Sequence, residues 1–178
     1  MALERSIHPQ TRIGHVHLKV ADLERAVAFY RDVLGFQVTQ RYGDQAVFLS
    51  AGGYHHHIGL NTWESGGGSR PGPRTTGLYH AAILYPNRLE LARAVRRLVN
   101  HGVHIGGASD HGVSEAIYLE DPDGNGLELY ADRDPTVWPR AADGSLSMVT
   151  RPLDLDDLLG ELDRERASPA LAGAQERS

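Results

Sequence analysis

Residues 14–36, GHVHLKVADLERAVAFYRDVLGF, decide the fold. GHVHLKV carries β-branched and apolar residues over a short length and reads as a strand. Asp22 then stands where a carboxylate can take the first free N–H groups of a helix. Leu23, Ala26, Val27, Tyr30, Val33 and Leu34 recur at helical spacing, and Gly35 supplies a left-handed stop. The same order returns further on. LYHAAILY, residues 78–85, is a strand; Asn87 caps the helix LELARAVRRLVNHG with Glu90 in the capping-box position, and Gly102 ends it as Gly35 ended the first.

Working outward, QAVFLSAG and HHHIGLNTW follow the first helix as strands. SEAIYLED and NGLELYAD, joined by the Asp121-Pro122-Asp123-Gly124 turn, close the second half. Each half is thus a strand, a helix and two or three strands, and neither could bury both faces of its sheet alone. The expectation is an α+β chain with one domain over residues 1–139, comprising module one (12–63), a Gly- and Pro-rich linker (64–77) and module two (78–133). Residues 140–178 form an extension in which Leu153, Leu155, Leu158, Leu159 and Leu162 suggest a short amphipathic helix, Trp138 is an anchor, and the tail SPALAGAQERS frays and carries no chemistry.

Bulk composition narrows the chemistry. The chain has 178 residues, 40% apolar and 23% charged, enough for one compact core. Its net charge of −5, without a basic block, argues against nucleic acid or an anionic membrane as partner. With no cysteine, thiolate metal sites, iron–sulfur clusters and cysteine nucleophiles are excluded, so any metal is held by nitrogen and oxygen. The N-terminus lacks a signal-peptide pattern and no apolar run approaches membrane-spanning length, which makes the expected location cytoplasmic. Ten histidines stand out, three of them consecutive at 55–57.

Aligning the halves sets His15 against His80, each at the beginning of its module's first strand, and Ile58-Gly59-Leu60 against Leu127-Glu128-Leu129. Two imidazoles and one carboxylate, with a glycine in the fourth place, match the facial arrangement that leaves coordination positions open on Fe(II). Taken singly, a histidine opening a strand is more often structural, and a glutamate in LELY can be the outward member of an alternating strand. Their joint fall at repeat-equivalent positions favours metal.

GHVHLKVADLERAVAFYRDVLGF and AIYLEDPDGNGLELYAD resemble the vicinal oxygen chelate superfamily, which includes glyoxalase I, bleomycin resistance proteins and extradiol dioxygenases. The resemblance spans roughly residues 12–139. SAGGYHHHIGLNTW and GLYHAAILYPNRLELARAV bring it nearest to the catechol 2,3-dioxygenase-like branch. It implies paired βαβββ modules forming a cupped mixed sheet around a metal held by His15, His80 and Glu128. Gly59 stands where glyoxalase I enzymes usually bring a second carboxylate, which counts against isomerase chemistry. Ring-cleaving members commonly have four modules and this chain has two, so a homodimer would restore part of the enclosing wall, with modules pairing within or between chains.

The expected activity is an extradiol-type dioxygenase that uses Fe(II), with Mn(II) or another divalent metal as a substitute, to cleave a catechol or related aromatic diol with O2. Such chemistry needs a base for a phenolic proton and a donor near oxygen. Tyr118 matches by resemblance the tyrosine that ring-cleaving relatives keep near the metal, and a core or rim aromatic is its plain alternative. His111, in the loop before the Tyr118 strand, is a candidate donor. For the base, motif matching favours His56, whereas strict strand alternation from Gly59 turns His57 and His55 toward the metal. His17 shares the face of His15, where it supports a ligand or packs, and Asn61 and Trp63 are candidates for the mouth. A metal-dependent isomerase or lyase and a metal-free binding protein are the alternatives for this fold.

Overall fold

The computed structural model describes residues 6–168; most of the tail expected to fray lies outside the described residues. The chain divides into two compact units at Ser69/Arg70. Unit 1 contains β1 (Val16–Lys19), α1 (Leu23–Ala28) continuing as a π-helical turn (Phe29–Val33), β2 (Gln37–Tyr42), β3 (Ala46–Ser50) and β4 (Ile58–Asn61). Unit 2 contains β5 (Ala81–Tyr85), α2 (Arg88–Asn100), β6 (Ile105–Asp110), β7 (Ser114–Glu120) and β8 (Gly126–Asp132), then β9 (Arg151–Pro152), α3 (Leu155–Leu159) and α4 (Glu161–Ala167). Each unit therefore holds one βαβββ module. The sequence reading missed the first strand after each helix, β2 and β6, whose polar and glycine-rich runs carry little apolar pattern.

The helices start as their caps require. Asp22 Oδ1 accepts from the Arg25 N–H at 3.0 Å and Asn87 Oδ1 from the Glu90 N–H at 2.9 Å. Sheet order is β1-β4-β3-β2 in unit 1 and β5-β8-β7-β6-β9 in unit 2, so the two modules share a topology, with β9 added to the second. In both, the first strand runs parallel to the last and the remaining pairs are antiparallel. The result is an α+β chain with two mixed sheets. Among the described residues no helix is long and apolar enough to cross a membrane.

In each unit one sheet face is closed by the helix and the other is left to side chains of mixed polarity. Leu18, Val47, Leu49, Ile58 and Leu60 are buried with Ala26, Val27 and Tyr30 of the first helical segment, and Ile117, Leu119, Leu127 and Leu129 with Leu91, Val95 and Leu98 of α2. Each such Leu or Ile contributes about 1.5–3 kcal/mol through burial. Alternation then sends His17, Phe48 and Gly59 to the opposite face in unit 1 and Ala82, Tyr118 and Glu128 in unit 2.

The C-terminal helices pack on α2 through Leu158, which is fully buried, and through Arg88. The Arg88 guanidinium reaches Glu115 at 2.6 Å, Glu161 at 2.6 Å and Asp157 at 2.7 Å, while Arg133 meets the other oxygen of the buried Glu115 at 2.7 Å. The hydrogen bond from Arg88 holds Asp157 below the usual carboxylate range, and bonds from Arg164 and Arg88 do the same for Glu161. Groups with lowered values stabilise fully above the ordinary carboxylate range and lose that contribution as pH falls through the lowered values. Hydrogen exchange across residues 155–167 is expected to stay protected at neutral pH and to lose protection on acidification. Arg88→Ala is expected to lose it at neutral pH, with about 2 kcal/mol of stability read by urea unfolding.

Candidate functional site

In unit 2 the parallel pairing of β5 with β8 carries the chemistry. His80 directly precedes β5, and the register Ala82↔Glu128 sets the Glu128 side chain beside it. His80 Nε2 lies 3.0 Å from Glu128 Oε2, with the two side chains 30% and 14% exposed. The other oxygen of the same carboxylate, Oε1, accepts from the Tyr118 hydroxyl at 3.0 Å, because β7 aligns Tyr118 opposite Glu128. His111 Nε2 is in turn 2.7 Å from the Tyr118 oxygen. Burial, and then the hydrogen bond and charge of Glu128, push the Tyr118 hydroxyl up to about 12, so it remains a protonated donor. A cavity of about 620 Å3, lined by residues that include Arg70, Tyr79, His80, His104 and Tyr118, adjoins this group.

Unit 1 gathers aromatic rings on the equivalent face. His15 directly precedes β1, and its ring is 4.3 Å from that of His56; His56 is 5.0 Å from Phe48, and His17 lies 5.7 Å from Phe48 and 5.5 Å from Trp63. Thr39, Gln40, Phe48, His55 and His56 line a cavity of about 360 Å3. Burial, and then the neighbouring histidines beginning with His15, hold His56 below the usual imidazole value. His17 is lowered too, first by partial desolvation and then by His15, although its edge is exposed.

The His55–His57 triplet directly precedes β4, and His57 already joins the ladder on both sides, its N–H donating to the Leu49 carbonyl and its carbonyl accepting from the Val16 N–H, so its side chain shares the face of Ser50 and Gly59. The His57 ring is held there, its Nδ1 3.0 Å from Ser50 Oγ and accepting from the Ala51 N–H at 3.3 Å. His56 is the member beside His15, with its Nδ1 2.7 Å from that of His55. His80, Glu128, Tyr118 and His111 thus meet in unit 2, and His15 and His56 meet in unit 1. Among the described residues of either unit, no three His, Asp or Glu side chains converge as a metal-ligand cluster.

The register also exposes an asymmetry. Two residues after His80 stands Ala82, opposite Glu128; two residues after His15 stands His17, opposite Gly59. Gly59 is thus the structural counterpart of Glu128, and the space above it is taken by His17. A Cβ at Gly59 would lie 2.8 Å from His17 Cδ2 and 2.9 Å from Cγ. Module two pairs a small residue with a carboxylate where module one pairs a ring with no side chain. Alternation along the first strand puts His17 on this face, with support of a ligand or packing as its expected task, and the structure packs it over Gly59. The smallest residue lying across from an imidazole was the available signal.

The model of the Glyoxalase/Bleomycin resistance protein/Dioxygenase superfamily matches residues 12–129, both modules through Leu129. The chain belongs to this superfamily. A Bacillus subtilis (strain 168) protein named catechol-2,3-dioxygenase is 46% identical over 161 residues, covering 90% of this chain and 55% of that protein. Biphenyl-2,3-diol 1,2-dioxygenase 3 of Rhodococcus globerulus is 34% identical over 122 residues, covering 68% and 63%. The chain therefore spans less than two thirds of the length of either relative. The crystal structure of a glyoxalase/dioxygenase from Nostoc punctiforme matches with a TM-score of 0.59 at 18% identity, covering 75% of this chain and all of that one, a likeness of fold.

This chain thus keeps two copies of one register and fills them differently. Gly59→Ala is expected to push His17 off Phe48 and Trp63 and to cost about 1–3 kcal/mol in urea unfolding. In a His17→Ala background the same substitution should cost almost nothing, and an undiminished cost there would show that the clash lies elsewhere.

Proposed function

We propose that this chain is an extradiol-type ring-cleaving dioxygenase that acts on a catechol or related aromatic diol with O2, using Fe(II) held by His15, His80 and Glu128. In this reading the chain works as a homodimer. The observation that carries it is the pair of donors in unit 2, His80 Nε2 and Glu128 Oε2, 3.0 Å apart with the second carboxylate oxygen occupied by Tyr118. Two ligands about 2.1 Å from one cation and at right angles to each other are about 3 Å apart, so this pair fits a shared divalent ion. The names of the relatives from Bacillus and Rhodococcus support the substrate class. Gly59, covered by His17, supports a set of three protein ligands rather than the four that an isomerase site would use.

When bound, a cation on two imidazoles and a carboxylate supplies Lewis acidity and open positions for two small ligands. The chain's own groups do the rest. Tyr118 donates to Glu128 Oε1, which fixes the carboxylate's orientation and leaves Oε2 for the cation. His56, held beside His15 and against Phe48, is the base that accepts a phenolic proton from the diol. His57 is spent on Ser50 and Ala51 and serves the fold. His111 acts on Tyr118, and Phe48 and Trp63 offer aromatic faces to a planar substrate.

Anaerobic loading with Fe(II), followed by a panel of mono- and bicyclic catechols in air, is expected to consume O2 and give a yellow ring-fission product. His56→Gln should lower kcat by about 10²–10⁴ while iron stays bound. No O2 uptake on any catechol, with iron bound to the protein, would remove the reading.

A further inference from the structure

His111 sits at the tip of the β6–β7 hairpin, and the tip is held firmly. Its N–H donates to the Ser114 carbonyl at 2.9 Å, and the Gly112 N–H donates to Asp110 Oδ1 at 2.8 Å. Asp110 Oδ2 accepts from Arg133 at 3.0 Å. The imidazole itself has a different partner at each nitrogen. Nε2 faces the Tyr118 hydroxyl at 2.7 Å; Nδ1 lies 2.9 Å from the carbonyl of Val149 and 3.3 Å from the hydroxyl of Thr150. A carbonyl only accepts, so the proton of a neutral His111 belongs on Nδ1 and the lone pair on Nε2. Tyr118 then has one hydroxyl proton and two acceptors for it, Glu128 Oε1 and His111 Nε2.

The segment that supplies the Val149 carbonyl is built onto the hairpin. The Val149 N–H donates to the His111 carbonyl at 3.1 Å and the Ser147 N–H to that of Pro139 at 2.9 Å. Arg151 and Pro152 pair with Asp110 and Ser109 as β9. Gly112, at φ +74°, packs so closely under the segment that a Cβ there would lie 2.9 Å from Pro139 Cγ and 3.3 Å from Val149 Cγ2. All of these contacts fall within unit 2, and the segment lies beyond residues 12–129, which the superfamily model covers.

We propose that residues 147–152 are a strap that positions His111: the Val149 carbonyl fixes its proton on Nδ1 and turns the Nε2 lone pair to Tyr118. Val149 is thereby a positioning residue for the reaction, a kinetic role that rests on the dioxygenase reading, whereas the tautomer does not. The strap gives the C-terminal extension a task at the site.

The tautomer is read by nitrogen-15 NMR of histidine-labelled, chelator-treated full chain at mildly alkaline pH, with His111→Asn to assign the signal. The Nδ1–H form is expected in the wild type. Gly112→Ala, which drives a methyl into Pro139 and Val149, should release it to a mixture of forms. In the iron-loaded enzyme the same substitution should lower kcat about 10- to 100-fold and leave KM nearly unchanged. A wild-type His111 with its proton on Nε2, or on both nitrogens, overturns the proposal, as does full turnover by Gly112→Ala once the tautomer is released. If no catechol is turned over at all, the dioxygenase reading fails while the wild-type spectrum still decides the strap; if Gly112→Ala does not fold, that spectrum decides it alone.

Discussion

The Glu128 carboxylate is the constraint around which unit 2 is arranged. A carboxylate mostly removed from water needs partners for both oxygens. Here His80 takes one and Tyr118 the other. Neither contact comes from neighbouring sequence: the first depends on the parallel register of β5 with β8, the second on the antiparallel register of β7 with β8. A slip of one residue in either ladder would turn Glu128 toward α2 and Leu129 toward the open face. The buried row of Leu127, Leu129 and Ala131 against the helix is what makes such a slip costly, so the core packing and the site chemistry share one register.

The two modules show how one topology accommodates two environments. Equivalent positions carry Ala82 with Glu128 in one and His17 with Gly59 in the other. Volume is exchanged across the strand pair: where the last strand carries a long side chain the first is small, and where the first carries a ring the last has none. Functional asymmetry thus arises inside a repeated fold without any change in strand order.

Much of this was legible in the sequence. Both helices begin at the expected caps, Asp22 and Asn87, because a short acceptor before an apolar period leaves few alternatives. The equivalence of Gly59 with Glu128 followed from aligning the halves, since a repeated apolar pattern implies a repeated register. Strands β2 and β6 were missed because, with few buried side chains, they carry little period. Motif matching points to His56 and strand alternation to His57, and nothing in the sequence chooses between them: His57 continues the β4 ladder onto the face of Gly59, while His56 packs on His15. Neither the Arg88 network nor the Val149 contact leaves a local trace. Arg88 and Glu161 are 73 positions apart, and Val149 acts through a carbonyl that every residue possesses.

The dioxygenase proposal requires one cation to take His15, His80 and Glu128 as its ligands. Equilibrium dialysis of the full chain and of His15→Ala and Glu128→Ala against Fe(II) under anaerobic conditions tests this most directly. One ion per wild-type chain, lost in each variant with the fold retained by circular dichroism, is expected. Iron retained in full by either variant would contradict it.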